Sequence, residues 1–115
     1  MISKSLMAAS TKPIILSLLS MGEDYGYNLI QRVKDVSGGA LEWSDGMLYP
    51  VLQKMEKDGV LSSRWVISEG GRYRKYYVVT EEGRMDLAAE IDQWRRVAAA
   101  LDKFFEPVPA AGTRS

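Results

Sequence analysis

The segment from residue 44 to residue 80 constrains the fold of this chain more than any other part of the sequence. An amphipathic stretch, SDGMLYPVLQKMEKDG, is followed by two runs with β-strand composition, LSSRWVIS and RYRKYYVVT, joined across Glu69-Gly70-Gly71-Arg72. A helix that leads into a basic two-stranded ribbon is typical of the second half of a winged helix-turn-helix domain. The pattern therefore predicts an α+β fold, mainly α, with double-stranded DNA as the partner.

Composition excludes most enzyme chemistry. The 115 residues include no Cys and no His, so thiolate nucleophiles, the commonest general base and the commonest metal ligands are missing. The 15 acidic residues are scattered among 15 basic ones, and no two acids have a spacing that requires a shared site. We expect a protein that is not an enzyme and that has neither a metal nor a cofactor.

Length and hydropathy indicate one hydrophobic core and no membrane span. The densest apolar run, residues 14–19, is far shorter than the roughly 18 residues that cross a membrane. That run also lacks the charged flank and the small-residue cleavage site of a signal peptide. These features predict a cytoplasmic protein that retains its N-terminus.

Positive charge is concentrated in the predicted ribbon. The net charge of the chain is zero, so overall charge gives no support to nucleic-acid binding and only its distribution can. Between residues 64 and 75 the net charge is 4 − 1 = +3, from Arg64, Arg72, Arg74 and Lys75 against Glu69. A basic ribbon suits contact with phosphate, although an edge hairpin also uses Lys and Arg to block aggregation.

The first helix is expected over Lys12–Met21. Ser10 or Thr11 can cap it, and Pro13 suits its first turn, where the backbone N–H has no helical partner in any case. Residues 3–9 could extend this helix. Pro13 would then interrupt and kink it, because its ring removes one backbone donor.

The second helix is expected over Tyr25–Ser37, with Asp24 as its cap. Residues 41–43 can then lie extended, as a short first strand that pairs with the later hairpin. Trp43 in that strand and Trp65 in the ribbon are expected to anchor these segments to the core, because a buried indole with its N–H satisfied is a common anchor.

The third helix is expected to begin at a cap from Ser44 or Asp45 and to end before Gly59. Its core-facing residues recur at the spacing of one helical face and are Leu48, Val51, Leu52 and Met55. The opposite face carries Gly46, Tyr49, Pro50, Gln53 and Lys54. Gln can pair with adenine, and Lys can reach guanine or phosphate. Any amphipathic helix has some polar face, so this pattern alone indicates DNA only weakly.

A long last helix is expected from a cap at Thr80 to about Phe105. Its apolar residues are spaced 4, 3, 4, 3 and 4 apart, as in a coiled-coil seam, and are Leu87, Ile91, Trp94, Ala98, Leu101 and Phe105. We expect a long C-terminal dimerisation helix, the alternative being a single helix that covers its own domain. The expected organisation is a DNA-binding domain over residues 1–80, a dimerisation helix over 81–106 and a disordered tail over 107–115.

Three strings resemble the PadR family of bacterial transcriptional regulators: YGYNLIQRVKDVSGG, LEWSDGMLYPVLQKMEKDGVL and GGRYRKYYVVTEEGR. The likeness covers about Lys12 to Arg84, and the single long C-terminal helix is similar to the short-tailed subgroup that includes a lactococcal multidrug-sensing repressor. The resemblance implies a homodimeric winged helix that binds palindromic operators and usually represses. It also implies release from DNA when a small aromatic or cationic molecule binds.

The same resemblance assigns DNA contacts to individual residues. It places Ser44, Gly46, Tyr49, Gln53 and Lys54 on the DNA-facing side of the third helix, and Arg72, Arg74 and Lys75 at the wing. A winged helix also serves as a protein-interaction module. That alternative predicts no affinity for DNA and no response to substitution of the three wing cations.

Trp94 is the main candidate for effector binding. In the multidrug-sensing relative, a Trp at the matching place faces its twin across the dimer, and planar aromatic compounds stack between the two. Indole faces attract flat and cationic molecules, which supports the same role here. The alternative is a closed seam that Trp94 simply fills. The candidate effector residues are Trp94, Ile91, Ala98, Leu6 and Pro13.

Overall fold

The computed structural model describes residues 1–105 and contains four helices and a three-stranded antiparallel sheet within them. The helices are α1 (Lys4–Ser20), α2 (Gly26–Val36), α3 (Asp45–Lys57) and α4 (Glu81–Phe104), and the strands are β1 (Asp24–Tyr25), β2 (Leu61–Ile67) and β3 (Tyr73–Val79). This confirms the predicted winged helix-turn-helix, an α+β fold that is mainly α with a long C-terminal helix. The predicted tail, residues 107–115, lies outside the described residues.

The sheet has the strand order β1-β3-β2. Strands β2 and β3 form the wing, residues 61–79, and pair from Leu61 opposite Val79 to Ile67 opposite Tyr73. Strand β1 contributes only two pairs, Asp24 with Tyr77 and Tyr25 with Tyr76. The far half of β3 therefore extends beyond β1 and carries the tip of the wing.

The prediction of a first strand at residues 41–43 is wrong. These residues have no strand assignment, and the third strand of the sheet is Asp24–Tyr25. A two-residue strand has almost no pattern of its own, and its pairing with β3 is set by where α1 and α2 place the chain. The prediction of Asp24 as a helix cap is wrong for the same reason.

Asp24 stabilises the start of α2 from within β1. The first helical residue follows Tyr25, which makes no side-chain capping bond. Asp24 is buried, and its Oδ2 accepts hydrogen bonds from Asn28 Nδ2 at 2.7 Å and from Arg32 Nη1 at 2.9 Å. The carboxylate thus fixes the first two turns of α2 to the sheet.

The first helix is longer than Lys12–Met21 and continues through Pro13. Ser3 caps it, with its Oγ accepting from the backbone N–H of Leu6 at 3.3 Å. A proline inside a helix costs about 3 kcal/mol. That cost is offset because the C-terminal half of α1 is buried, with Ile15 and Leu16 fully inaccessible to solvent.

The core lies between α1, α2, α3 and the base of the sheet. Its buried apolar residues are Ile15, Leu16, Leu18, Leu19, Leu29, Val33, Trp43, Leu48, Leu52, Met55, Val60, Leu61, Tyr77 and Val79. The predicted core face of α3 is confirmed, with Val51 partly buried against the cluster. The predicted bounds of α3 are also confirmed, since Ser44 Oγ accepts from Met47 N–H at 3.2 Å and Gly59 has φ +84°.

The two tryptophans expected as anchors differ in burial. Trp43 is 5% exposed and belongs to the core, although its Nε1 has no hydrogen-bond partner among the described residues. Trp65 is 64% exposed, so its prediction as a core anchor is wrong. Trp65 shares a sheet face with buried Tyr77, but it lies nearer the tip, where the wing extends past the core.

The first turns of α4 dock on the domain. Thr80 Oγ1 accepts from Gly83 N–H at 3.0 Å, as predicted for the cap, and donates to the carbonyl of Gly59 at 2.7 Å. Lys12 Nζ on α1 pairs with Asp86 Oδ2 at 2.8 Å, which raises the pKa of Lys12. Leu87 packs against the core, whereas every described residue beyond Ile91, up to Phe105, is exposed. No helix in the described part of the chain is both long and apolar enough to span a membrane.

Candidate nucleic-acid interface

An open cleft of about 570 Å³ lies between α3, the start of α2 and the wing. We call it the wing cleft, and it is lined by Tyr25, Gly26, Tyr27, Tyr49, Gln53, Trp65, Arg72, Tyr73, Arg74, Lys75 and Tyr77. Six of these residues are aromatic, three are cationic and none is acidic. A basic surface interleaved with aromatic rings can hold phosphate and pack against sugars or bases.

One face of α3 borders the wing cleft. Tyr49, Gln53 and Glu56 follow one another at i, i+4 and i+7, which places them in one row along the helix. The ring of Tyr49 lies against the backbone of Gly26, where an added β-carbon would be 2.6 Å from the tyrosine Oη. Burial there raises the pKa of Tyr49. Gln53 makes no side-chain hydrogen bond within residues 1–105 and is exposed.

Two of the four cations counted in the ribbon have ion-pair partners. Arg64 forms a two-pronged pair with Glu23, in which its Nε donates to Glu23 Oε2 at 3.0 Å. Lys75 Nζ lies 3.2 Å from Glu56 Oε1. The net charge of +3 counted along the ribbon therefore overstates the charge that the wing offers to a ligand.

Arg72 and Arg74 have no ion-pair partner in the part of the chain that the structure describes. The guanidinium carbon of Arg74 lies 4.4 Å from the ring centroid of Tyr25, a cation–π contact that leaves its N–H donors free for other partners. Tyr25 in turn packs edge-on against Tyr76 at 5.3 Å. The aromatic stack orients Arg74 while leaving its charge uncompensated.

Of the eight residues predicted to contact DNA, the wing cleft brings together five: Tyr49, Gln53, Arg72, Arg74 and Lys75. The other three lie elsewhere on α3. Ser44 caps the helix, Gly46 has open space beside it, and Lys54 forms an exposed pair with Asp58 at 3.1 Å. None of these three lines the cleft.

Sequence reasoning missed the aromatic lining of the cleft. Tyr25, Tyr27, Trp65 and Tyr73 were not assigned to the site, yet all four line it. The alternation of the ribbon gave a signal, because Tyr73 and Trp65 lie on the same sheet face as Lys75. The alternation indicates an exposed aromatic surface only if the wing extends beyond the core, and the sequence does not show how far it extends.

Residues 15–89 match the family described as PadR-like transcriptional regulators. The chain belongs to this PadR family. A protein of Lysinibacillus sphaericus is 29% identical to it over 107 residues, which make up 92% of this chain and 97% of that protein. The negative transcriptional regulator PadR of Bacillus subtilis is 30% identical over 76 residues, 66% of this chain but only 42% of the relative.

A solved transcriptional regulator from Clostridium thermocellum has the same fold as this PadR-family chain. The superposition has a TM-score of 0.83 at 27% identity and covers 90% of this chain and 98% of the other. The family consists of transcriptional regulators, which are not enzymes. The chain is accordingly a transcriptional regulator, and the wing cleft is its candidate surface for nucleic acid.

A second concavity of this PadR-family chain lies between α1 and α4. This groove has a volume of about 510 Å³ and is lined by Ser10, Pro13, Ile14, Ser17, Leu18, Val36, Ile91, Trp94 and Arg95. Three of the five candidate effector residues, Pro13, Ile91 and Trp94, therefore line it. Leu6 and Ala98 are exposed and lie outside it.

Trp94 lines both that groove and a second, smaller hollow. The indole Nε1 donates to Glu90 Oε2 at 3.2 Å, and Glu90 lines the smaller hollow with Ala9. The larger groove has Arg95 at its edge instead. Trp94 thus borders two concavities, one with the acidic Glu90 and the other with the basic Arg95.

Proposed function

We propose that this PadR-family regulator binds palindromic operator DNA as a homodimer and represses transcription. The observation that carries the proposal is the wing cleft, in which Arg72 and Arg74 lack an ion-pair partner among residues 1–105 while Gln53 projects from α3 beside them. An α-helix fits into the major groove of double-stranded DNA, and a basic wing beside that helix reaches the adjoining phosphates.

The dimer is supported by the free part of α4. The exposed large apolar residues there are Trp94, Val97, Leu101 and Phe104, and Phe105 follows directly after the helix. Leu87 and Ile91, nearer the domain on the same helix, are partly buried. A helix of 24 residues is about 36 Å long, so its distal half extends past the core that it docks on. A second copy would cover this surface and supply the second recognition helix that a palindrome requires. In this proposal residues 1–80 bind DNA and α4 dimerises.

Repression is supported by the relative from Bacillus subtilis, which is described as a negative transcriptional regulator and is 30% identical to this chain over 76 residues. Release by a small effector is supported by the α1–α4 groove. The groove is largely apolar, contains an indole face and is formed by the helix that would also form the dimer. A planar aromatic or cationic molecule bound there would act on the spacing between the two winged helices.

The proposal is tested by using the full chain to select double-stranded DNA from a random library. We expect the recovered sequences to contain an inverted repeat, and we expect binding to weaken steeply as salt rises because phosphate contacts release counterions. A variant with Arg72→Gln and Arg74→Gln should lose most of this affinity. Sedimentation of the free protein should give a dimer.

If no double-stranded DNA is recovered above background at low salt, the DNA-binding proposal is contradicted and a protein-interaction module is favoured. A single half-site with monomeric protein would contradict the dimer alone. Reporter expression from a promoter that carries the recovered sequence should rise when the gene for this protein is deleted. A fall in expression would replace repression by activation.

A further inference from the structure

We infer that Glu56 and Lys75 are positioning residues that fix the wing to the recognition helix, and that Lys75 is not a phosphate ligand. This inference rests on the proposed DNA-binding function. It also reassigns Lys75, a cation that the family resemblance places among the DNA contacts. Glu56, which was not assigned a role from the sequence, becomes the link between α3 and both strands of the wing.

Glu56 lies in the last turn of α3 and uses both of its carboxylate oxygens. Oε2 accepts the hydroxyl of Ser63 on β2, and Oε1 pairs with Lys75 Nζ on β3 at 3.2 Å. The hydroxyl and the ammonium lower the pKa of Glu56, and the carboxylate raises the pKa of Lys75. One helical side chain is therefore bound to two different strands.

Lys75 is further held by its neighbours on the sheet. Its ammonium lies 5.4 Å from the ring centroid of buried Tyr77, two residues along the same face. The side chain is only 30% exposed, much less than that of Arg64 at 59%. If Lys75 turned outward to bind a phosphate, Glu56 would lose its ion-pair partner. Its negative charge would then face the negatively charged DNA.

The link acts at the point where the wing leaves the core. Ser63 is opposite Tyr77 in the register, and Lys75 is opposite exposed Trp65. The Leu61–Val79 pair at the base of the ribbon is buried, and the Ile67–Tyr73 pair at the tip is exposed. The bond to Glu56 consequently sets the angle at which the exposed half of the ribbon projects beside α3.

The recognition face of α3 is thus held at both ends. Tyr49 packs against Gly26 on α2, and Glu56 is bound to the wing. Gln53 lies one turn from each and projects freely between them. The helix can contact base edges while Arg72 and Arg74 contact phosphate only if α3 and the wing keep a fixed separation. Contacts displaced by a fraction of an ångström are weakened.

The decisive experiment compares Lys75→Gln and Glu56→Gln with Arg74→Gln as the matched phosphate-contact variant. Affinity for the selected double-stranded DNA and for a scrambled one of the same length is measured in the full chain over a range of salt. We expect both link variants to weaken selected DNA roughly three- to tenfold with an unchanged salt slope. Arg74→Gln should lower the slope by about one.

Two further variants separate positioning from folding. Lys75→Arg keeps the ion pair and should restore affinity for the selected DNA. The double variant, Glu56→Gln with Lys75→Gln, should bind no worse than either single variant, because both remove the same link. Melting temperatures identify any variant that loses affinity simply through unfolding.

A measurement without DNA keeps this inference distinct from the proposed function. Labelling with 5-fluorotryptophan gives one ¹⁹F signal for each of the three tryptophans, and Trp65→Phe identifies the signal of the wing. Lys75→Gln and Glu56→Gln should change the position and relaxation of that signal, while buried Trp43 should be unaffected. This outcome is expected whether or not the protein binds DNA.

Three results would overturn the inference. One is a salt slope that falls by about one in Lys75→Gln, which would make Lys75 a phosphate ligand. The second is an unchanged Trp65 signal in both link variants. The third is a Glu56→Gln variant that binds selected and scrambled DNA more tightly by the same factor, which would make Glu56 a repulsive charge and nothing more.

Discussion

The ring of Tyr49 on α3 lies directly on the backbone of Gly26 at the start of α2, where a β-carbon would be 2.6 Å from the phenolic oxygen. We expect Gly26→Ala to displace this ring and to destabilise the fold by about 1 kcal/mol, the lower range for overpacking, because the ring is the end of a rotatable side chain. Chemical denaturation measures the change.

Gly46→Ala is the matched control for that substitution. Residue 46 is also a helical glycine, but nothing lies within 4 Å of a β-carbon built there. Alanine should stabilise α3 at this position by roughly 0.5–1 kcal/mol. In a Tyr49→Ala background the effect of Gly26→Ala should vanish, and an undiminished effect would show that the contact with Tyr49 is not its cause.

Arg74→Gln and Arg64→Gln should have different effects on DNA binding, although both remove one positive charge from the wing. Arg74 has no ion-pair partner among the described residues, whereas Arg64 is paired with Glu23. We expect the salt slope to fall by about one for Arg74→Gln and to stay the same for Arg64→Gln. Fluorescence anisotropy of labelled DNA at several salt concentrations provides the measurement. Equal slopes for both variants would mean that charge alone decides.

Thr80→Val should loosen the attachment of α4. The hydroxyl of Thr80 both caps α4 at Gly83 and donates to the carbonyl of Gly59, and valine keeps the shape while losing both bonds. We expect a loss of about 1–2 kcal/mol in the free energy of unfolding. Ser62→Ala, at an exposed β2 position, is the control and should change it little. Equal losses in the two variants would contradict the capping role.

The Glu56 link should contribute less stability at acid pH. Its folded-state pKa lies below the ordinary value of 4.5, because the Ser63 hydroxyl and Lys75 stabilise the charged form. The contribution is therefore fully present above about pH 4.5 and is lost as pH falls through the lowered pKa. The side chain is a third exposed, so we expect less than about 1 kcal/mol.

Chemical denaturation of the wild type and of Glu56→Gln at pH 7 and at pH 3 isolates that contribution. The wild type should be the more stable protein at pH 7, and the difference should shrink at pH 3. A difference that grows toward acid pH would have the wrong sign for a carboxylate with a lowered pKa.

Planar aromatic dyes should quench the fluorescence of Trp94 if the α1–α4 groove binds effectors. Trp65 is 64% exposed and Trp94 is 37% exposed, so dye contact with the wing would mimic binding in the groove. We therefore expect saturable quenching to persist in Trp65→Phe and to disappear in Trp94→Phe. Quenching that survives in Trp94→Phe but not in Trp65→Phe would assign the dye to the wing cleft.

Local signals in the sequence were sufficient for α3, α4 and the hairpin. Ser44 and Thr80 accept capping bonds from N–H groups three positions along the chain, and Gly59 ends α3 through its own positive φ, so the helix bounds that they mark could be predicted. The strand at Asp24–Tyr25 could not be predicted, because it depends on pairing with residues about 50 positions later. The length of α1 depends likewise on packing that outweighs its internal proline.

The candidate site was predicted in part for the same reason. The cationic residues of the wing are visible in the sequence, but their partners are not. Lys75 and Glu56 are 19 positions apart, and Arg64 and Glu23 are 41 apart, so counting charges along the ribbon treats paired and unpaired cations alike. The aromatic lining requires the fold, since the residues that form it come from five separate elements: β1, α2, α3, β2 and β3.

The free projection of Gln53 between two anchored side chains has an evolutionary consequence. Replacement of Tyr49 or Glu56 disturbs the packing of α2 or of the wing, so those positions are coupled to the stability of the scaffold. Residue 53 has no such coupling in the described structure, and a new side chain there changes only what α3 presents. Paralogues could therefore acquire different targets through single substitutions at this position, with no compensating change elsewhere.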